Sequence, residues 1–117
     1  SGPLGAIIGA LEQYGTLLVC PCDVPMVSSQ LLLEIISSAR VAKEPVVLAH
    51  SGHLEPLIGL YKKESLELLK IGYSKGARGP KVALGIRDYY TVNVSPDLVQ
   101  NVNTPEDFQS LFSKFEL

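Results

Sequence analysis

Asp23 stands between Pro21 and Pro25 in the stretch TLLVCPCDVP, at the point where an apolar run stops. Leu17, Leu18 and Val19 read as a short buried strand, and the prolines take the chain out of it. The C-terminal end of a strand in a parallel sheet faces the ligand crevice. A carboxylate there can hold Mg²⁺ while water and phosphate oxygens fill the rest of the ion's shell. The same residue would also serve as a helix cap or a turn hydrogen-bonder stiffened by its prolines. A second pair, Asn101 and Asn103 in QNVNTPEDF, flanks Val102. On extended backbone both amides point to one side and could grip a ligand by its polar edge. The other reading is an Asx turn at Asn103 that leads into a cap at Thr104.

Three further groups carry weaker signals. Gly2, Pro3, Leu4 and Gly5 could let the backbone approach a ligand, and a helix beginning there would favour phosphate. Lys75, Arg78 and Lys81 form the one basic cluster, framed by Gly72, Gly76 and Gly79, and read as a mobile anion-reaching flap or a solvated loop. His50 and His53 follow an apolar strand, with His53 just before Glu55-Pro56. A histidine at a strand exit is commonly a surface hydrogen-bonder. No Ser-His-Asp set or glycosidase-type pair of acids can be assembled.

The elements that must position these residues follow from periodicity. Leu4, Ile7, Ile8 and Leu11 make one face of a helix that opens at Gly2-Pro3 and stops at Gly15. A strand at Leu17–Cys20 follows, then a helix capped by Ser28 or Ser29 with Leu32, Ile35, Ile36 and Ala39 as its stripe. Val46–Ala49 reads as another strand. Strands that are apolar at consecutive positions, alternating with helices, predict an α/β fold: a three-layer, mostly parallel sheet covered on both faces. Beyond it the pattern predicts a strand over Pro56–Leu60, a short helix over Lys62–Lys70, a loop at GYSKGARGPK and a strand over Tyr89–Val94. Thr104-Pro105-Glu106-Asp107 then predicts a capped helix carrying Phe108, Leu111, Phe112 and Phe115.

Bulk properties narrow the function classes. The 117 residues suit one domain. Ten Lys and Arg against twelve Asp and Glu give a net charge of −2, which argues against a nucleic-acid-gripping protein and leaves room for a small anionic ligand. Cys20 and Cys22 are one residue apart, unlike a redox C-x-x-C, and a reducing, cytoplasmic setting fits them. No apolar stretch approaches the ~20 residues that cross a bilayer, so no membrane partner is expected.

Taken together, GPLGAIIGAL, LLVCPCDVPMV, the EPLIGLY segment from Glu55 to Tyr61 and QNVNTPEDF resemble the molybdenum cofactor guanylyltransferases. The similarity runs in the family's order from near residue 2 to near residue 113. It implies a Rossmann-like nucleotidyltransferase sheet and transfer of GMP from GTP to molybdopterin, with release of pyrophosphate. By the resemblance, Asp23 is the Mg²⁺ ligand, and Asn101 and Asn103 position the reacting groups or the metal. Gly2, Pro3 and Leu4 wall the guanine and ribose pocket. His53, Pro56 and Arg78 face the molybdopterin. The family's opening strand and its glycine-rich triphosphate loop have no counterpart here, which implies an incomplete form whose loop comes from a larger parent or from a partner such as a second copy. The competing expectations are a nucleotidyltransferase of the same fold using CTP or a sugar phosphate, and a non-catalytic domain that has lost phosphate-loop chemistry.

Overall fold

A computed structural model describes residues 2–21, 29–98 and 110–114. The chain runs α1 (Gly2–Tyr14), β1 (Leu17–Pro21), α2 (Ser29–Val41), β2 (Val46–His50), β3 (Leu54–Tyr61), α3 (Leu66–Ser74), α4 (Pro80–Ala83), β4 (Tyr89–Asn93) and β5 (Ser110–Lys114). Among the described residues the strands form one sheet in the order β4-β2-β3-β1-β5.

The three layers arise from alternation along consecutive apolar residues. Val46 and Leu48 enter a core beneath α1 with Leu17, Val19, Leu57 and Tyr61. Val47 and Ala49 enter the opposite core with Ile58, Leu60 and the α2 residues Leu31, Ile35 and Ala39. A strand whose every residue is buried needs an apolar side chain at every position, which is why β2 reads VVLA. On α1 the expected face Leu4, Ile7, Ile8 and Leu11 is buried. Gly15 ends that helix at φ +80°, its amide donating to the Leu11 carbonyl at 2.9 Å. On α2 the buried line is Leu31, Ile35 and Ala39, one residue round from the expected stripe, with Leu32 and Ile36 half-buried beside it.

The sheet departs from the expected mostly parallel arrangement. Only β2 and β4 pair in parallel; β3 lies antiparallel to both β1 and β2, and β5 antiparallel to β1. The connection from β2 to β3 is the three residues between His50 and Leu54, too short for a crossover, so β3 must return as a hairpin partner. It inserts between β1 and β2, which still run the same way as each other and as β4. The β2–β3 register also breaks: Leu48 pairs with Gly59, but the next residue, Ala49, pairs with Glu55. Pro56, Leu57 and Ile58 therefore bulge from that ladder, at a residue with no N–H to donate.

Three segment assignments change. The expected C-terminal helix does not extend through Ser110–Lys114, which is a strand registered along β1 from Pro21↔Ser110 to Leu17↔Lys114. Its backbone supplies partners to the second edge of β1, and ladder pairing there outweighs a local helical period. Thr104 to Asp107 and Phe108 lie outside the described residues. The expected loop GYSKGARGPK is loop only over 75–79: Gly72–Ser74 complete α3, and Pro80 starts α4 at its first position. The helix placed at Lys62–Lys70 is a single 3₁₀ turn, Lys63–Ser65, followed by α3. In β4, Val92 is buried and Tyr90 is exposed.

Candidate active site

Because β1, β2 and β4 share a direction, their C-terminal ends (Pro21, His50 and Asn93) lie at one edge of the sheet. The β2–β3 hairpin turns there. The start of α1 lies there too, since α1 runs back along the sheet and turns at Gly15 into β1. This is the edge at which α/β sheets bind ligands. Asp23, Asn101 and Asn103 lie outside the described residues.

Of the remaining expected site residues, the fold joins two groups that are far apart in sequence. The amide of Leu4 donates to the Arg78 carbonyl at 3.0 Å. Gly2 has φ +77°, and a Cβ there would sit 2.9 Å from that same carbonyl oxygen, so the docking needs a residue without a side chain. Pro3 has no amide proton and Leu4's is taken, so the first turn of α1 is capped by the 75–79 loop. Leu4 itself is fully buried in the core and Pro3 is buried beside it.

The Arg78 side chain is exposed yet held. Its Nη1 donates to the carbonyls of Tyr73 (3.2 Å) and Ala77 (3.0 Å), and its guanidinium carbon lies 4.4 Å from the centre of the Tyr73 ring. Among the described residues no carboxylate pairs with it. Lys75 supplies the C-cap of α3, its amide donating to the Ile71 and Gly72 carbonyls. Lys81 lies on α4 and is exposed.

The hairpin carries a second polar group. Glu55 is only 6% exposed, and its Oε2 accepts from the Ser51 hydroxyl at 2.5 Å and lies 3.1 Å from His53 Nε2. The His53 side chain is itself 73% exposed. A buried carboxylate oxygen thus holds the imidazole at the ligand edge while the same Oε2 accepts from the Ser51 hydroxyl. His50 is tied differently: its Nδ1 accepts from the Gly52 amide at 3.3 Å and its carbonyl from the Val94 amide at 2.9 Å. Pro56 sits in the bulge, its carbonyl accepting the Tyr61 hydroxyl at 2.5 Å. Burial holds that tyrosine hydroxyl far above the ordinary tyrosine range.

Ser51, Glu55 and Tyr73 were not singled out by residue type, although alternating polar residues in HSGHLE and an aromatic five positions before an arginine are the readable signals for them. A cleft of about 380 Å³ between α3 and α4, lined among others by Leu68, Ile71, Lys75 and Asp88, holds Lys75 of the basic cluster but none of the residues that the family resemblance assigns to a ligand.

Residues 1–87 match the MobA-like NTP transferase domain. The chain belongs to that family. Within it, the chain is 34% identical over 113 residues to a molybdenum cofactor guanylyltransferase of Vibrio vulnificus, covering 91% of this chain and 56% of the relative. It is 33% identical over 111 residues to the enzyme of that name from Pseudomonas fluorescens, covering 90% and 55%. The chain therefore spans about half the length of these curated relatives. The fold is that of the crystal structure of molybdopterin-guanine dinucleotide biosynthesis protein A from Archaeoglobus fulgidus, with a TM-score of 0.72 at 23% identity over 91% of this chain and 58% of that one. In this MobA-like chain, no group of three or more His, Cys, Asp or Glu that could hold a metal occurs among the described residues. Nor is any helix among them long and apolar enough to cross a membrane.

Proposed function

We propose that this chain is part of a cytoplasmic guanylyltransferase that transfers GMP from GTP to the phosphate of molybdopterin. The observation that carries the reading is identity above 30% to molybdenum cofactor guanylyltransferases along nine-tenths of the chain. In the reaction a molybdopterin phosphate oxygen attacks the α-phosphorus of GTP, a new P–O bond forms, and the α–β bridge breaks to release pyrophosphate. The demands are positioning and charge neutralisation rather than a protein nucleophile.

Each part of the ligand edge has a role in this reading. Arg78, with which no carboxylate among the described residues pairs, offers a cation to the incoming phosphate, since guanidinium donors match phosphate oxygens bidentately. His53, held by Glu55, and Pro56 in the bulge line the molybdopterin side. Gly2, Pro3 and Leu4 shape the nucleotide side, in the case of the buried Leu4 through backbone and packing. Asn101 and Asn103 position the reacting groups. Asp23 is the residue assigned to Mg²⁺, which when bound would neutralise phosphate charge.

The test is to incubate the full protein with α-labelled GTP, molybdopterin and Mg²⁺ and look for labelled molybdopterin guanine dinucleotide and equimolar pyrophosphate. Dinucleotide from GTP in preference to CTP supports the reading. Preference for CTP moves the chain to a cytidylyl-transferring relative, and failure to bind any nucleotide moves it to a non-catalytic role.

A further inference from the structure

The GPLG segment and the basic loop meet in a way that neither suggests alone. Gly2 leaves room for the Arg78 carbonyl, the Leu4 amide fastens that carbonyl, and the Tyr73 ring and carbonyl receive the guanidinium. The ring is in turn packed against α1 at Gly5, where an added Cβ would stand 3.7 Å from the Tyr73 ring edge and hydroxyl. Among the described residues every contact holding the guanidinium is neutral: two carbonyls and an aromatic face. Both hydrogen bonds use Nη1, so Nε and Nη2 remain for a ligand. An arginine anchored by carboxylates would have its charge cancelled; this one is fixed in direction with its charge intact, at the ligand edge of the sheet.

We propose that Gly2 and Tyr73 are positioning residues that present Arg78 to an anionic phosphate group. On this account the GPLG glycine acts by seating the arginine loop rather than by touching the nucleotide base. The inference rests on the reading of Arg78 as a phosphate-facing residue in the proposed reaction.

The Nε–H resonances of Arg40, Arg78 and Arg87 can be assigned in the full protein by substituting each arginine in turn, and then followed one by one by NMR. Inorganic phosphate is the probe. In the wild type the Arg78 Nε–H should shift with phosphate, and its side-chain methylenes should carry an upfield ring-current displacement. Tyr73→Phe keeps the ring and should preserve both. Tyr73→Leu should abolish the ring-current displacement and weaken the phosphate response about two- to fivefold, the size of an exposed cation–π contact. Gly2→Ala should weaken it as well, because alanine is strained at this φ and its Cβ displaces the Arg78 carbonyl. In each variant the Arg40 and Arg87 resonances report whether the fold is intact, and should Tyr73→Leu unfold, Gly2→Ala carries the test.

Equal phosphate affinity in the wild type, Tyr73→Leu and Gly2→Ala would overturn the inference. So would a loss in Tyr73→Phe as large as in Tyr73→Leu, or an Arg78 that does not respond to phosphate in the wild type. If the expected pattern appears while no guanine dinucleotide forms, the clasp stands and the reaction falls. If the dinucleotide forms and Arg78 ignores phosphate, the reverse holds.

Discussion

Lys62 and Arg78 each donate to main-chain carbonyls, yet one is buried and the other exposed. Lys62 follows β3, at the edge where β1 and β2 begin. Its Nζ donates to the Ala42 carbonyl at 2.7 Å, just past the end of α2, where a cation offsets the helix dipole. The surrounding groups are also committed to the protein. The Lys62 amide donates to the Pro45 carbonyl, its own carbonyl accepts from Ser65, and the Lys63 amide donates to the Thr16 hydroxyl. At the opposite edge, Arg78 is aimed by the same kind of contact and keeps its charge open to solvent, and His53 is fixed by Glu55 with its ring exposed. One edge is closed by its polar groups; the other uses internal contacts to hold polar groups ready. The bulge at Pro56–Ile58 divides them, with regular three-strand pairing on the closed side and the hairpin polar group on the other.

This contrast can be broken most forcefully at Gly59. A Cβ there would lie close against the Val47 carbonyl and the Leu48 side chain, inside the ladder that seals the closed half. Gly59→Ala should destabilise the fold by about 1–3 kcal/mol or more, as overpacking does, seen as a lower denaturant midpoint. An unchanged midpoint would show that the β2–β3 pairing is looser than described.

The next effect sharpens the comparison directly. Lys62→Met should cost about 1–3 kcal/mol because it leaves the Ala42 carbonyl without its donor. The same change at Arg78 should cost about 0.5–1 kcal/mol, the size of an exposed cation–π contact. Equal losses in the two unfolding curves would remove the distinction between the edges.

Smallest is Tyr61→Phe, which forfeits the hydroxyl bond to Pro56 across the bulge for about 1 kcal/mol near neutrality. Burial raises the folded-state value of this hydroxyl above its ordinary 10.0, so the unfolded chain loses the proton first. The associated stability is therefore complete below that ordinary value and falls as pH rises above it. Unfolding free energies measured across the alkaline range should decline in the wild type, and less steeply in Tyr61→Phe. Parallel curves would show that Tyr61 ionises in the folded state as freely as in the unfolded chain.

How far these features could be read from residues varied with how local their cause is. The faces of α1 and α2 were visible because a helix repeats its burial every turn, and β2 because a strand buried on both sides must be apolar throughout. The segment Ser110–Lys114 was misread because Leu111 and Phe112 fit a helical period, while the pairing that overrides it comes from β1 nearly a whole chain away. The basic segment was read as a flap or a solvated loop because glycines and charges dominate it, whereas the backbone contact that docks residues 75–79 comes from α1. The Pro80 that starts α4 was the local cue for its helical end.

Residue pattern alone carries the α/β class, the burial of the strands, the acidic balance that disfavours nucleic acid, and the family resemblance. The first three depend on composition and on apolar periods short enough to show in a local window, and the resemblance on four particular segments that occur in the family's order. Strand direction, the β3 insertion, the bulge before Gly59 and the meeting of Gly2, Leu4, Tyr73 and Arg78 arise only on folding. They depend on hairpin closure and on contacts between residues far apart in sequence, and no local period records which distant carbonyl a given amide will find.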